Sequence, residues 1–321
     1  MKNHLSHRFP ISVFGLLFLL VAAGQAQSFN FASVDYPNAI RTRAWGISPG
    51  GVIVGDYIDS SPSHLWHGFL LSGGQYVTLD VPGSVIGLTD KLQTSLRGIR
   101  TNGDIVGIYF APPGSTAGCI TAMSPPCIKG FLLHRGTFST VLFPGHEGSI
   151  PQRITPQGDI YGCYHDIDLM GTMFGFTRAA SGEFTSIDGL TGMDIPASMN
   201  NGATPDGSTV VGLYADLTMM PPPTHGFVIE NGNFQSFDVP NSTFTEAWDI
   251  NPAANIVGDF QDKAGMFHGF LRTANGYTSI DFPAATATHA YGINPGGAIV
   301  GIYADTSKVT HGFLAVPAAS N

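Results

Sequence analysis

The chain has 321 residues, of which 12% are charged, and its 23 acidic residues against 14 basic ones give a formal net charge of −9. That balance excludes nucleic acid and anionic membrane as expected partners, since both select basic surfaces. Glycine (41) and proline (22) are abundant and Ala-Glu-Lys-Leu helical stretches are missing, so the composition predicts an all-β protein with many turns.

The first residues read as a targeting segment. Lys2 and Arg8 precede an uncharged apolar run from Ile11 to Ala23, and the small-x-small site Gly24-Gln25-Ala26 follows. This is the layout of a secretory signal peptide. A membrane anchor needs about 20 apolar residues, and this run has 13. Cleavage is expected after Ala26, which leaves 27–321 as a single domain. The expected location is secreted or periplasmic, with no membrane insertion after cleavage.

Beyond residue 27 the chain repeats itself. A strand of the form VGxY centres on Gly55, Gly107, Gly162, Gly212, Gly258 and Gly301. A Gly-Phe pair follows each one, at Gly68, Gly130, Gly175, Gly226, Gly269 and Gly312. Six copies of one supersecondary unit therefore tile the chain. In the sixth, a strand over Ala290–Ile293 meets the tight turn Asn294-Pro295-Gly296-Gly297, and a second strand runs over Ala298–Tyr303. A polar loop then leads to a third strand, His311–Leu314. In other copies a glycine turn opens a fourth strand, as in YVTLDVP, FQSFDVP and YTSIDFP.

The sixth copy lacks that fourth strand, whereas an orphan strand of the same kind, Phe29–Pro37, precedes the first copy. A six-bladed β-propeller of four-stranded blades accounts for both, with the N-terminal strand completing the last blade and closing the ring. The motif G-I-N-x-x-G-x-I-V-G-x-Y followed by H-G-F-L resembles the bacterial extracellular repeats called the HAF family, named for a His-Ala-Phe triplet. Here the triplet is His-Gly-Phe at residues 67–69, 225–227, 268–270 and 311–313, and it departs to Lys129-Gly130-Phe131 and Phe174-Gly175-Phe176. The resemblance implies an exported, repeat-built protein and supplies no catalytic residues.

The His of HGF and the Asp of the following loop position (Asp59, Asp166, Asp216, Asp262, Asp305) suggest metal ligands at first sight. Ring geometry speaks against it. With strands about 4.8 Å apart, second and third strands lie on the order of 10 Å from the axis, and ligands must converge to about 2 Å from an ion. These residues are expected to brace their own loop, with no metal and no cofactor. Cys119 and Cys127 bracket a Gly/Ser/Pro-rich stretch and read as a loop-closing disulfide, with Cys163 as a buried free thiol; spacing alone leaves either loop Cys able to pair with Cys163.

What the blades do not share should carry function. The loops between second and third strands vary most, and Met219, Met220 and Trp66 would make parts of that face apolar. The other candidate is the inner mouth, where the first strands bring Arg43, Trp45, Arg97, Arg153, Glu246, Trp248, Asp249, His289 and Tyr291 toward one axis. Such a mixed funnel suits a small polar molecule, sugar-like or carboxylate-bearing. No nucleophile elbow, HExxH, EF-hand or P-loop appears. The first reading is a monomeric, non-catalytic exported module that recognises a glycan, a cell-envelope component or a protein. The alternative is a propeller hydrolase or lyase acting on a small polar substrate through Arg43, Arg97, Arg153, Glu246 and His289, which requires those side chains to share one pocket without being paired off.

Overall fold

A sheet with two apolar faces cannot stand alone in water, and this chain solves the problem by ringing six such sheets around an axis. The computed structural model describes residues 28–85, 93–112, 127–165 and 173–319. These form six four-stranded antiparallel sheets. The innermost strands are Arg41–Ile47, Thr94–Ile99, Gly148–Ile154, Ser198–Ala203, Phe244–Ile250 and Ala287–Ile293, which define blades one to six. In the sixth sheet the outermost strand is Phe29–Val34, paired antiparallel with Thr310–Pro317 in the register Phe29↔Pro317 to Val34↔Gly312. The expected closure of the ring is therefore present.

The core lies between blades. Six apolar clusters each draw residues from two neighbouring sheets; one joins Val34 and Val300 of blade six to Ala44, Ile53, Tyr57 and Phe69 of blade one. The two repeated glycines explain how the sheets approach. Phe69, Phe131, Phe176, Phe227, Phe270 and Phe313 rank among the most completely buried side chains, and each pairs directly across from the glycine of VGxY. A Cβ on Gly55 would meet the Phe69 ring at 2.7 Å and run into the Arg43 carbonyl. In five of the six blades the glycine of Gly-Phe serves the neighbouring blade, whereas Gly226 lies under Phe237 of its own sheet. A Cβ on Gly68 would meet the Leu96 side chain of blade two at 3.0 Å, and Pro151, Asn200, Ala290 and Ala44 stand in the same relation to Gly130, Gly175, Gly269 and Gly312.

Two features depart from the regular repeat. Blade three's fourth strand shrinks to Phe184–Ser186 and passes into a short helix, Ile187–Thr191, ended by Gly192 at φ 69°. The extra residues between Ser186 and Asp194-Ile195-Pro196 make room for that turn. Cys119 and the side chain of Cys127, which carry the expected disulfide, lie outside the described residues, as does Asp166. Cys163 is free and buried, and burial pushes its thiol up to about 12, so it is an inert packing group.

Gly55→Ala should lower stability by about 3 kcal/mol, the upper range for overpacking, because neither the Phe69 ring nor the Arg43 carbonyl can withdraw. Gly51, at φ +83° with nothing near its Cβ direction, should lose only about 1–2 kcal/mol on change to Ala, from the left-handed backbone alone. Urea denaturation of the two variants measures the contrast.

Candidate functional site at the axial mouth

Every inner strand breaks register with its neighbour at the same place. The breaks fall between Ala44 and Gly46, Leu96 and Gly98, Pro151 and Arg153, Asn200 and Gly202, Ala247 and Asp249, and Ala290 and Gly292. A β-bulge places one extra residue there and re-aims its side chain. The six extra residues are Trp45, Arg97, Gln152, Asn201, Trp248 and Tyr291. Trp45 stacks on Tyr291 with centroids 4.3 Å apart, Trp248 meets Tyr291 edge-on at 4.9 Å, and the Arg97 guanidinium lies 3.7 Å from the Trp45 centroid. Gln152 reaches the Met199 sulfur, and Asn201 donates to the Ala247 carbonyl of blade five.

The next residue inward marks the narrowest layer of the ring. Four blades have glycine there, and a Cβ on Gly46 would stand 2.5 Å from the Arg97 carbonyl while one on Gly202 would stand 2.8 Å from the Asp249 Cα. The other two blades carry Arg153 and Asp249, which fill the space left. Arg153 Nε lies 3.1 Å from the Asp249 carboxylate. Its Nη1 donates to the carbonyls of Arg97 (3.1 Å) and Gln152 (2.8 Å), and its Nη2 to those of Trp45 (3.1 Å) and Tyr291. Asp249 in turn accepts from the amides of Ile250 and Ile293. Below this plug, toward the turns joining first and second strands, lies a cavity of about 110 Å³ rimmed by Pro49, Thr101, Pro156, Pro205, Pro252 and Pro295.

Above the plug the mouth opens on the face where the first strands begin, which also carries the loops between second and third strands. Two carboxylates of the second strands organise it. Asp56 accepts from Arg43 Nε (2.7 Å) and Nη2 (3.1 Å), from the Trp45 indole (2.8 Å) and from the Ser95 hydroxyl of blade two. Asp259 accepts from the Trp248 indole (2.7 Å) and bonds His289 Nδ1 of blade six at 3.0 Å. Glu246 stands directly across from Asp259. Burial, and then the Asp259 carboxylate, push its pKa well above the ordinary 4.5, because both disfavour a second charge beside Asp259.

The nine residues expected from sequence thus meet around one axis at three depths, with Asp249 beside Arg153 in the deepest. Arg43, Glu246 and His289 line the mouth; Trp45, Arg97, Trp248 and Tyr291 form its floor; Arg153 lies beneath, engaged with backbone and Asp249. Arg43, Arg153 and His289 are paired with Asp56, Asp249 and Asp259. Sequence reasoning missed Asp56 and Asp259. The signal was a co-occurrence: only copies one and five read VGD in that strand, and only they carry Trp eleven residues earlier.

The HGF histidines do brace the rim, with a different principal partner from the one expected. His67, His225, His268 and His311 each bond through Nδ1 to the Asp that ends a fourth strand, Asp80, Asp238, Asp281 and Asp35, at 2.7–3.0 Å. The loop Asp stands on the other ring nitrogen at 3.5–3.6 Å, as in Asp59, Asp262 and Asp305. Where blade two replaces His by Lys129, Leu142 stands in place of that Asp. Among the described residues no group of three His, Cys, Asp or Glu side chains is arranged to hold a metal ion. Of the apolar candidates on this face, Trp66 is buried with Ile58, Ile108 and Phe110, whereas Met219 and Met220 are exposed.

Arg153→Met should destabilise the fold by about 3–5 kcal/mol, the usual loss when one partner of a buried pair is removed. The Arg153→Met, Asp249→Leu double variant should recover only part of it, because four carbonyls still lack a donor; denaturant midpoints test this. Glu246 carries a pH signature. The folded state keeps a proton that the unfolded chain releases above its ordinary 4.5, so stability falls as pH rises from there toward the folded value. Glu246→Gln should flatten that fall in thermal melts taken across the same range.

No protein-family model and no curated protein matches the chain. Solved structures share its fold. TolB from Acinetobacter baumannii is 13% identical with a TM-score of 0.50, over 82% of this chain and 63% of that one. The β-propeller domain of the Trilobed protease from Pyrococcus furiosus, described as having an open velcro topology, is 5% identical with a TM-score of 0.53, over 86% and 94%. A prolyl endopeptidase is 8% identical with a TM-score of 0.51, over 89% and 40%. The chain spans less than two thirds of the TolB chain it matches, and what these proteins have in common with it is the β-propeller.

Proposed function

We propose that this protein is an exported β-propeller binding module whose axial mouth, on the loop-rich face, takes a small polar ligand or the end of a larger glycan or envelope component. The observation that carries this reading is the floor itself. Six bulges deliver two tryptophans, a tyrosine, an arginine and two amides to one place, and Glu246 and His289 stand above them. Aromatic surface with a few convergent polar groups is the usual composition of a ligand site. The resemblance of the repeats to the HAF family and the signal-like first residues support an extracytoplasmic location.

Hydrolysis or lysis is the second reading, favoured by the Glu246–Asp259–His289 corner, where two carboxyl groups and an imidazole adjoin. The pairing of Arg43 and His289 with carboxylates favours binding over turnover, since both are already committed. The test uses the protein's own fluorophores. All three tryptophans lie at the site: Trp45 and Trp248 on the floor, and Trp66 beneath the Arg43 guanidinium at 4.0 Å. A screen of glycans and envelope fragments should find a ligand that shifts tryptophan emission saturably and is recovered unchanged. Recovery of a cleaved product would instead establish the enzymatic reading, and a ligand captured without any change in emission would place binding elsewhere.

A further inference from the structure

We infer that Arg97 is the anion receptor at the foot of the axial mouth, and that the ligand is a small carboxylate bearing hydroxyl groups, of the uronic-acid type. This rests on the mouth being the binding site and names what it binds. Arg97 is 8% exposed, and among the described residues no carboxylate stands within ion-pair distance of it and no acceptor takes its protons. Its Nε is buried without a partner. The guanidinium lies over the Trp45 face, 3.7 Å from its centroid. Nearby carboxylates are committed elsewhere, Asp56 to Arg43 and Asp249 to Arg153. Burial, and then the neighbouring Arg43, bring the Arg97 pKa down to about 10, against the opposing pull of the Asp56 carboxylate that Arg43 already holds. A buried cation is ordinarily paired, so the missing charge is one the ligand brings.

The neighbours on the same layer narrow the class. Gln152 Oε1 and Asn201 Oδ1, from the next two bulges, are buried acceptors without donors. Hydroxyl groups would satisfy them, and the Glu246 carboxyl above offers a further hydrogen-bonding partner to a hydroxyl. A planar guanidinium matches a carboxylate through two parallel hydrogen bonds. A phosphate dianion fits less well, because Asp259 lies close by and Arg97 is the single uncommitted cation of the site among the described residues.

The test is a tryptophan-fluorescence and calorimetric titration of the mature protein with D-glucuronate, D-glucose and acetate. Glucuronate should bind roughly ten- to hundred-fold more tightly than either, the worth of a charge-assisted hydrogen bond. Arg97→Met should remove that preference. Should Arg97→Met fail to fold by circular dichroism, Arg97→Lys, which keeps the charge and loses the planar fork, should weaken glucuronate about ten-fold. Glucose binding as tightly as glucuronate would leave the mouth a binding site and overturn the role of Arg97. Acetate binding as tightly as glucuronate would reduce the site to an adventitious ion only. Binding of none of the three would overturn the inference, while a ligand of another class that perturbs the tryptophans would still uphold the mouth as the site.

Discussion

A ring of sheets leaves a hole in its middle, and here one guanidinium fills it. Arg153 collects carbonyls from blades one, two, three and six and a carboxylate from blade five. Those carbonyls are available because the bulges withdraw them from the ladder between first and second strands. The plug and the bulges therefore presuppose each other. Without Arg153 the bulged backbone would hold unsatisfied acceptors in a dry interior, and without the bulges no carbonyls would point at the axis. The four glycines at the same level are the other half of this arrangement, since they bring the backbones near enough for one side chain to reach four of them.

This division of the axis explains why the two ends of the ring differ. Below the plug the surface is proline and isoleucine around a cavity of about 110 Å³, built almost identically by each blade. Above it the side chains vary from blade to blade. Blades one and five carry the Trp–Asp units, blade two supplies Arg97, blades three and four supply amides, and blade six supplies Tyr291 and His289. A repeat that keeps its glycines, buried phenylalanines and rim histidines nearly constant has spent its variation on six positions that face one another.

The architecture was legible in the sequence because its causes are local and periodic. Glycine under phenylalanine and glycine under the next blade recur at a readable spacing, and the displaced strand at Phe29–Pro37 announced the closure. The identity of the axial residues was legible for the same reason, since they enter on the first strand of each copy. Their depth was not. A bulge is a property of how two strands pair, and neither strand's own pattern reveals that Trp45 and Gly46 together face a single partner. Hence Arg153 read as one more mouth residue although it lies a layer below. Asp56 and Asp259 were hidden by sitting within the repeat motif itself, and the Asp that holds each rim histidine was read only as part of the fourth strand, with no partner. The helix over Ile187–Thr191 replaced an expected strand end because an insertion there lengthens the link.

The strand Phe29–Val34 has a temporal consequence as well as a spatial one. Its partner is the last strand of the ring, and the Ser33 hydroxyl meets Tyr303 at 2.7 Å across a sequence separation of 270. At about 5–20 residues per second, synthesis leaves the first strand waiting on the order of tens of seconds for that partner. During the interval the first blade and the newest one each have a neighbour on one side only, and the sixth lacks its outer strand altogether. The clasp between the two is thus the final event of assembly, and the molecule is committed to its shape only once the whole chain has been made.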